Sequence, residues 1–251
     1  MGALVRVVAI VQARAGSTRL PGKVLAALCG DERKGLQCPV DPEHAMVMRI
    51  VRRVQRAEMV SEVVVATSDE PQDDGLATLV AGFGLRVHRG PHLDVLSRYV
   101  GAARWAAADV IVRVTADCPL IEPTIIDRTV RSLRLSGYDF ASTSAEGYDA
   151  ETGSVKRTIP KGLDVEACWL DVLLRCDRMF ASPRAREHVF AGIYEERPGL
   201  FLVRHIRDRA DHGEVDWCVD TRPQLEDIRK IYISGRADLG YLDRIALEEA
   251  V

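Results

Sequence analysis

No two cysteines of this chain stand close together in the sequence. The six, Cys29, Cys38, Cys118, Cys168, Cys176 and Cys218, show no tight paired spacing, which excludes a disulfide framework. Cys29, Cys38 and His44 share one segment, but their spacing fits no compact zinc finger. No apolar run approaches the ~20 residues of a membrane-spanning helix. A charged N-terminal region followed by a long apolar stretch is also missing, so the reading expects a cytoplasmic protein with reduced thiols and no membrane partner. Nor is charge of one sign in excess: 34 Lys and Arg stand against 37 Asp and Glu, a net of −3. The overall balance therefore recruits no nucleic acid, and any anion site must be local. What the chain does have is 251 residues, 47% of them hydrophobic, enough to bury the core of a folded enzyme.

Period and punctuation alternate through the first half. Residues 5–12 are a β-branched run, 45–57 carry Met46, Ile50, Val51 and Val54 at helical spacing, and 62–68 are again continuously apolar. The pattern repeats: helix over 74–83 with Asp73 or Asp74 as its cap, extended 85–89, helix 92–107, extended 110–115, helix 123–135. Fully apolar strands separated by amphipathic helices predict an α/β fold of three layers, a mostly parallel sheet with helices on both faces. After Tyr138 the alternation loosens, and "SAEGYDAETGSVKRT" reads as a mobile loop over a site. Helical patterns return at 166–180, 184–195, 223–233 and 239–249, and extended ones at 200–206 and 214–219. With no repeat and no linker, the expectation is one domain over 1–251. Its halves are 1–137 and 138–251, interrupted by a polar, proline-broken excursion at 29–45, "CGDERKGLQCPVDPEHA".

The stretch "AIVQARAGSTRLPGKVL" ends an apolar run in a loop that gathers Arg14, Arg19 and Lys23 among small residues. A loop of this kind at the carboxyl edge of a sheet offers backbone N–H groups and cations to a polyphosphate. It is not a Walker A loop, because five residues separate Gly16 from Gly22 and Val24 follows Lys23. It is not a Rossmann fingerprint either, since no third glycine opens a helix. Spacing alone leaves open an ordinary surface loop with solvated cations.

Two aspartates end apolar runs, Asp117 in "VTADCP" and Asp220 in "CVDT"; hard carboxylate ligands for a cation and helix caps are both open for them. In "PKGLDVE", alternation would turn Asp164 and Glu166 to one face, either toward an acceptor or metal or into solvent. Asp94 and Arg98 stand four apart on an expected helix, where a surface pair is one reading. Cys118 is expected to pack against the sheet end.

The loop segment "QARAGSTRLPGK" resembles the signature of cytidylyltransferases of the 3-deoxy-manno-octulosonate (CMP-Kdo synthetase) type, and still more that of the spore coat polysaccharide biosynthesis branch. "VVVATSDE", "RGPHLDVLSRY", "VIVRVTADCPLIEP", "PKGLDVE", "REHV" and "VDTRPQLEDI" resemble further family segments in the same order, so the likeness runs from residue 5 to about 233. The excursion at 29–45 departs from it.

The resemblance implies a nucleotide-diphospho-sugar transferase-like fold and a Mg2+-dependent transfer of CMP from CTP to a sugar or other anionic small-molecule acceptor, releasing pyrophosphate. It implies that Gln12, Ala13, Arg14, Ser17, Arg19 and Lys23 bind the nucleotide, the last four holding its triphosphate, with Arg14, Lys23 and Asp117 catalytic. Asp94 and Arg98 would contact the nucleotide, and Asp117 and Asp220 the metal. Asp164, Glu166, Arg186, Glu187 and His188 would face the acceptor, and 138–251 would join two copies into a homodimer. A catalytically silent nucleotide-binding scaffold of the same fold and a nucleotide-sugar-dependent glycosyltransferase are the alternatives. The acceptor, whether acidic sugar, sugar phosphate or phosphonate, is beyond the sequence.

Overall fold

The computed structural model describes residues 5–28, 41–144 and 157–249. Residues 29–40 of the excursion and 145–156 of the second loop lie outside them, and with them the expectations for Cys29, Cys38 and a mobile loop. The chain runs β1 (Val7–Gln12), α1 (Met46–Val54), β2 (Glu62–Ser68), α2 (Asp74–Gly82), β3 (Arg86–Gly90), α3 (Val95–Trp105), β4 (Val110–Thr115) and α4 (Pro123–Ser136). It continues with β5 (Phe140–Ser142), β6 (Glu166–Trp169), α5 (Leu170–Met179), α6 (Pro183–His188), α7 (Ala191–Glu195), β7 (Val203–His205), α8 (Arg222–Ile233) and α9 (Tyr241–Glu249).

The strands form one sheet in the order β3-β2-β1-β4-β6-β5-β7. β1 pairs parallel with β2 and β4, and β2 with β3, while β6 is antiparallel to both β4 and β5. Period 2 explains why β1 is apolar throughout. Val7, Ala9 and Val11 pack on one face with α1, α4 and α8, and Val8 and Ile10 on the other with α3 and α5. The three-layer α/β expectation holds. Register places Gln12 opposite both Ala66 and Thr115, so β1 and β4 end at one level and β2 runs two residues further beside β3.

The second half departs from its pattern in four places. Residues 166–180 are not one helix: Glu166–Trp169 is a strand, its ladder on β4 outweighing local helical period, and the helix starts only at Leu170. Residues 184–195 split into α6 and α7 at Val189, whose φ of 61° no helix accommodates. Only Val203–His205 of 200–206 joins the sheet. Residues 214–219 add no strand to it. They are held by a single bridge between Lys161 and Asp216, with Lys161 N donating to Val215 O and Trp217 N to Lys161 O, both at 2.9 Å. Gly162, at φ 95°, permits that approach, since a Cβ there would lie 2.8 Å from the Trp217 carbonyl carbon. The excursion leaves and returns at one point, where Ala27 and Ala45 pair antiparallel.

Candidate active site

The opening loop is built by its backbone. Ala13 N donates to Ala66 O, tying the loop's start to β2, while the Ala13 side chain is buried in the core. Gly22 N and Ser17 N both donate to Ala15 O at 2.9 Å, and Gly22 takes φ 72°, which lets the chain turn into a short 3₁₀ turn beginning at Lys23. Ser17 Oγ accepts from Leu20 N. The loop's outer side is fixed by Asp73. Its carboxylate accepts from Ala15 N at 2.6 Å and from Ser68 N and Oγ, so Asp73 orders the loop and does not cap α2 by side chain.

Beyond the ends of β1 and β4 lies a cavity of about 260 Å³. Gln12, Arg14, Ser17, Arg19 and Lys23 line it from the loop, Arg113, Thr115 and Asp117 from β4 and the turn after it, and Glu187 and His188 from the end of α6. All three loop cations are matched to carboxylates: Arg14 lies 3.5 Å from Glu187, Arg19 lies 2.9 Å from Asp220, and Lys23 reaches two acids. The Lys23 side chain is nine-tenths buried, and its Nζ donates to Asp220 Oδ1 at 2.8 Å, Val219 O at 2.8 Å and Asp117 Oδ2 at 3.2 Å. This is no solvated loop lysine.

Burial pushes the Asp117 carboxyl upward, but the Lys23 ammonium and hydrogen bonds involving Thr115, Lys23 and Cys118 outweigh it and hold the group below the ordinary range. Neither aspartate caps a helix, because Glu122 precedes α4 and Thr221 begins α8 in a capping box with Gln224. Asp220 is delivered by the loop after the Lys161 bridge rather than by a strand.

Other expected contacts lie outside the cavity lining. Asp94 caps α3 by accepting from Ser97 N and takes a two-pronged bond from Arg186, so these two residues serve each other. Arg98 forms no surface pair with Asp94. It is fully buried and donates to Pro91 O at 2.7 Å. Asp164 is held by Arg157 and Gly162 N, and Glu166, 4% exposed, by Arg113. Cys118 packs under the sheet end as expected, 3.9 Å from the Cys218 sulfur. Arg113, Thr115 and Thr18 line the cavity without having been singled out. Arg113 had a signal, a lone charge inside "VIVRVT".

Residues 8–159 match a protein-family model described as cytidylyltransferase. The chain belongs to the cytidylyltransferase family. It is 29% identical over 230 residues, 89% of its own length and 85% of the relative's, to the spore coat polysaccharide biosynthesis protein SpsF of Bacillus subtilis. It is 40% identical over 129 residues, 51% of this chain and 45% of the relative, to the 3-deoxy-manno-octulosonate cytidylyltransferase of Geobacter sulfurreducens. The structure of a cytidylyltransferase from Leptospira borgpetersenii superposes with a TM-score of 0.81 at 27% identity, covering 98% of this chain and 94% of that one.

Membership makes the protein a nucleotidyltransferase that uses CTP. Reactions of this class join an acceptor to the α-phosphorus and expel pyrophosphate, so positioning and charge neutralisation are most of the catalytic task. The cavity, lined by Arg14, Arg19, Lys23 and Arg113, lies at the carboxyl edge of a parallel sheet, where open α/β folds place ligands. No helix among the described residues is long and apolar enough to cross a membrane.

Proposed function

We propose that the protein transfers CMP from CTP to an anionic small molecule, an acidic sugar, sugar phosphate or phosphonate, with Mg2+ as cofactor. One observation carries this reading: Arg14, Arg19, Lys23 and Asp117 line a single cavity, and beside it Lys23 joins Asp117 to Asp220, which also takes Arg19, although 94 and 197 residues separate Lys23 from the two acids. Arg14, Arg19 and Lys23 grip the triphosphate and neutralise the charge that gathers on the departing pyrophosphate. Arg113, Glu187 and His188 form the opposite wall, where the acceptor's anionic group lies beside a guanidinium and an imidazole.

The residues present fit a divalent ion. Two carboxylates and the Val219 carbonyl turn toward one point, the hard oxygen donor set such an ion selects. Asp117 and Asp220 would hold it, and when bound it draws negative charge from the phosphate oxygens. The family likeness also supports a cytoplasmic homodimer joined through 138–251, which sedimentation tests.

A screen of CTP, UTP, GTP and ATP with Mg2+ against acidic sugars, sugar phosphates and phosphonates tests the function. CTP-dependent pyrophosphate release is expected with one acceptor class. Release that prefers another triphosphate, or consumption of a nucleotide sugar without pyrophosphate, would overturn it.

A further inference from the structure

We propose that Lys23 is the internal counter-ion of the Asp117–Asp220 pair, and that it makes binding of a divalent cation conditional on arrival of the triphosphate. The inference rests on the reading of these aspartates as the cation's ligands. An ammonium has three donors, and here all three are spent: one each on Asp117, Asp220 and the Val219 carbonyl, at 2.8 to 3.2 Å. Nζ therefore occupies the point on which the oxygen cage converges.

Neither charge can leave alone at low cost. Asp220 is 8% exposed, and stripping the ammonium from it leaves two close carboxylates, with the exposed Arg19 as the cation still paired to Asp220 among the described residues. A divalent ion entering without nucleotide must also push Lys23 outward. The space beyond is lined by Arg14, Arg19 and Arg113 with Glu187, and Glu187 is already matched to Arg14, so a displaced ammonium gives up two carboxylates for a wall of three guanidinium groups. A bound triphosphate reverses this balance. It brings several negative charges to the cations, gives Lys23 new acceptors and leaves the carboxylates to the metal. The two ligands are thus coupled through one side chain with two sets of partners, and each raises the other's affinity by the same factor.

The test is Mn2+ binding, read by the loss of the free-ion EPR signal and by the Mn2+-induced shift in melting temperature. Wild type is expected to bind Mn2+ weakly alone and at least about tenfold more tightly with saturating CTP. K23M and K23Q, which lack the ammonium, are expected to melt lower than wild type without metal. They should bind nucleotide-free Mn2+ about tenfold more tightly than wild type and recover more melting temperature from it. K23R, which keeps the charge, is expected to stay weak.

Equal or weaker nucleotide-free Mn2+ binding by K23M and K23Q overturns the proposal, and so does loss of folded structure in both, which would make the ammonium part of the fold. The nucleotide-free arm does not depend on base or acceptor. Tighter Mn2+ binding by K23M in a protein that releases no pyrophosphate from CTP would uphold the counter-ion and reject the function.

Discussion

Arg186 on α6 grips Asp94 at the start of α3 with two parallel bonds, Nε to Oδ1 at 2.9 Å and Nη2 to Oδ2 at 2.5 Å, across 92 residues of sequence. The same guanidinium reaches Asp177 at 2.9 Å, so α6, α5 and α3 share one charge cluster. Two residues expected at the nucleotide and at the acceptor clamp α3 and α6 together, immediately beside the cavity residues Glu187 and His188.

Asp94→Asn is therefore expected to cost on the order of 1 to 2 kcal/mol of stability, because it weakens a charge-assisted pair and a helix cap together. Arg186→Met is expected to cost a similar amount. Urea melts of both single variants and the double variant check it: the double loss should fall clearly below the sum, since both changes remove one interaction. Fully additive losses would mean that the pair does not act as a unit.

Arg14→Ala should behave oppositely. Its one carboxylate contact among the described residues is 3.5 Å long and falls on a half-exposed Glu187, so stability should change by less than about 0.5 kcal/mol. On the proposed grip of the triphosphate by Arg14, loss of its charge should lower kcat/KM for CTP by about 10²- to 10³-fold. Steady-state kinetics beside a thermal melt separates the two effects.

Glu166→Gln is expected to destabilise by about 3 kcal/mol, because it leaves the Arg113 guanidinium without its carboxylate inside the sheet. If Glu166 served the acceptor directly, the same change would instead spare stability and raise KM for the acceptor. A denaturation curve and an acceptor titration on one preparation distinguish the two.

The bridge that delivers Asp220 predicts a pH window. Burial alone would raise the Asp216 carboxyl, but the Lys161 ammonium and Cys218 N hold it below its ordinary value, while the hydrogen bond to Asp216 raises Lys161 against its partial burial. A depressed carboxyl stabilises the fold above its unfolded value of about 3.9, and that contribution is lost as pH falls toward the folded value. A raised amine stabilises below about 10.4, and that contribution is lost as pH rises through the folded value. Melting temperatures of wild type and Asp216→Asn should therefore differ most between these limits and converge in acid. A difference that persists unchanged well below pH 3 would show that the carboxylate's charge is not what matters.

Much of the fold was legible because it is local. Short, β-branched, mostly apolar runs such as 7–12 and 110–115 read as strands buried on both faces, and helical period in between points to parallel crossovers. The cation-rich loop was legible for the same reason: its glycines, proline and charges all fall within one short stretch. The second half was harder. Residues 166–169 become a strand because β4 offers a ladder, and nothing within those four residues reveals that partner.

By itself, then, the sequence determined a three-layer α/β sheet and where on it the loop cations stand, because hydrophobic period and turn chemistry act over a few neighbouring residues. Which charge meets which was decided by the tertiary structure. Lys23 finds Asp117 and Asp220, Arg186 finds Asp94, and Glu166 turns to Arg113 rather than outward. Side chains so distant along the chain become neighbours only after strand order and crossovers are set. Burial then makes each ion pair a requirement of the fold, since a charge taken out of water must keep its partner.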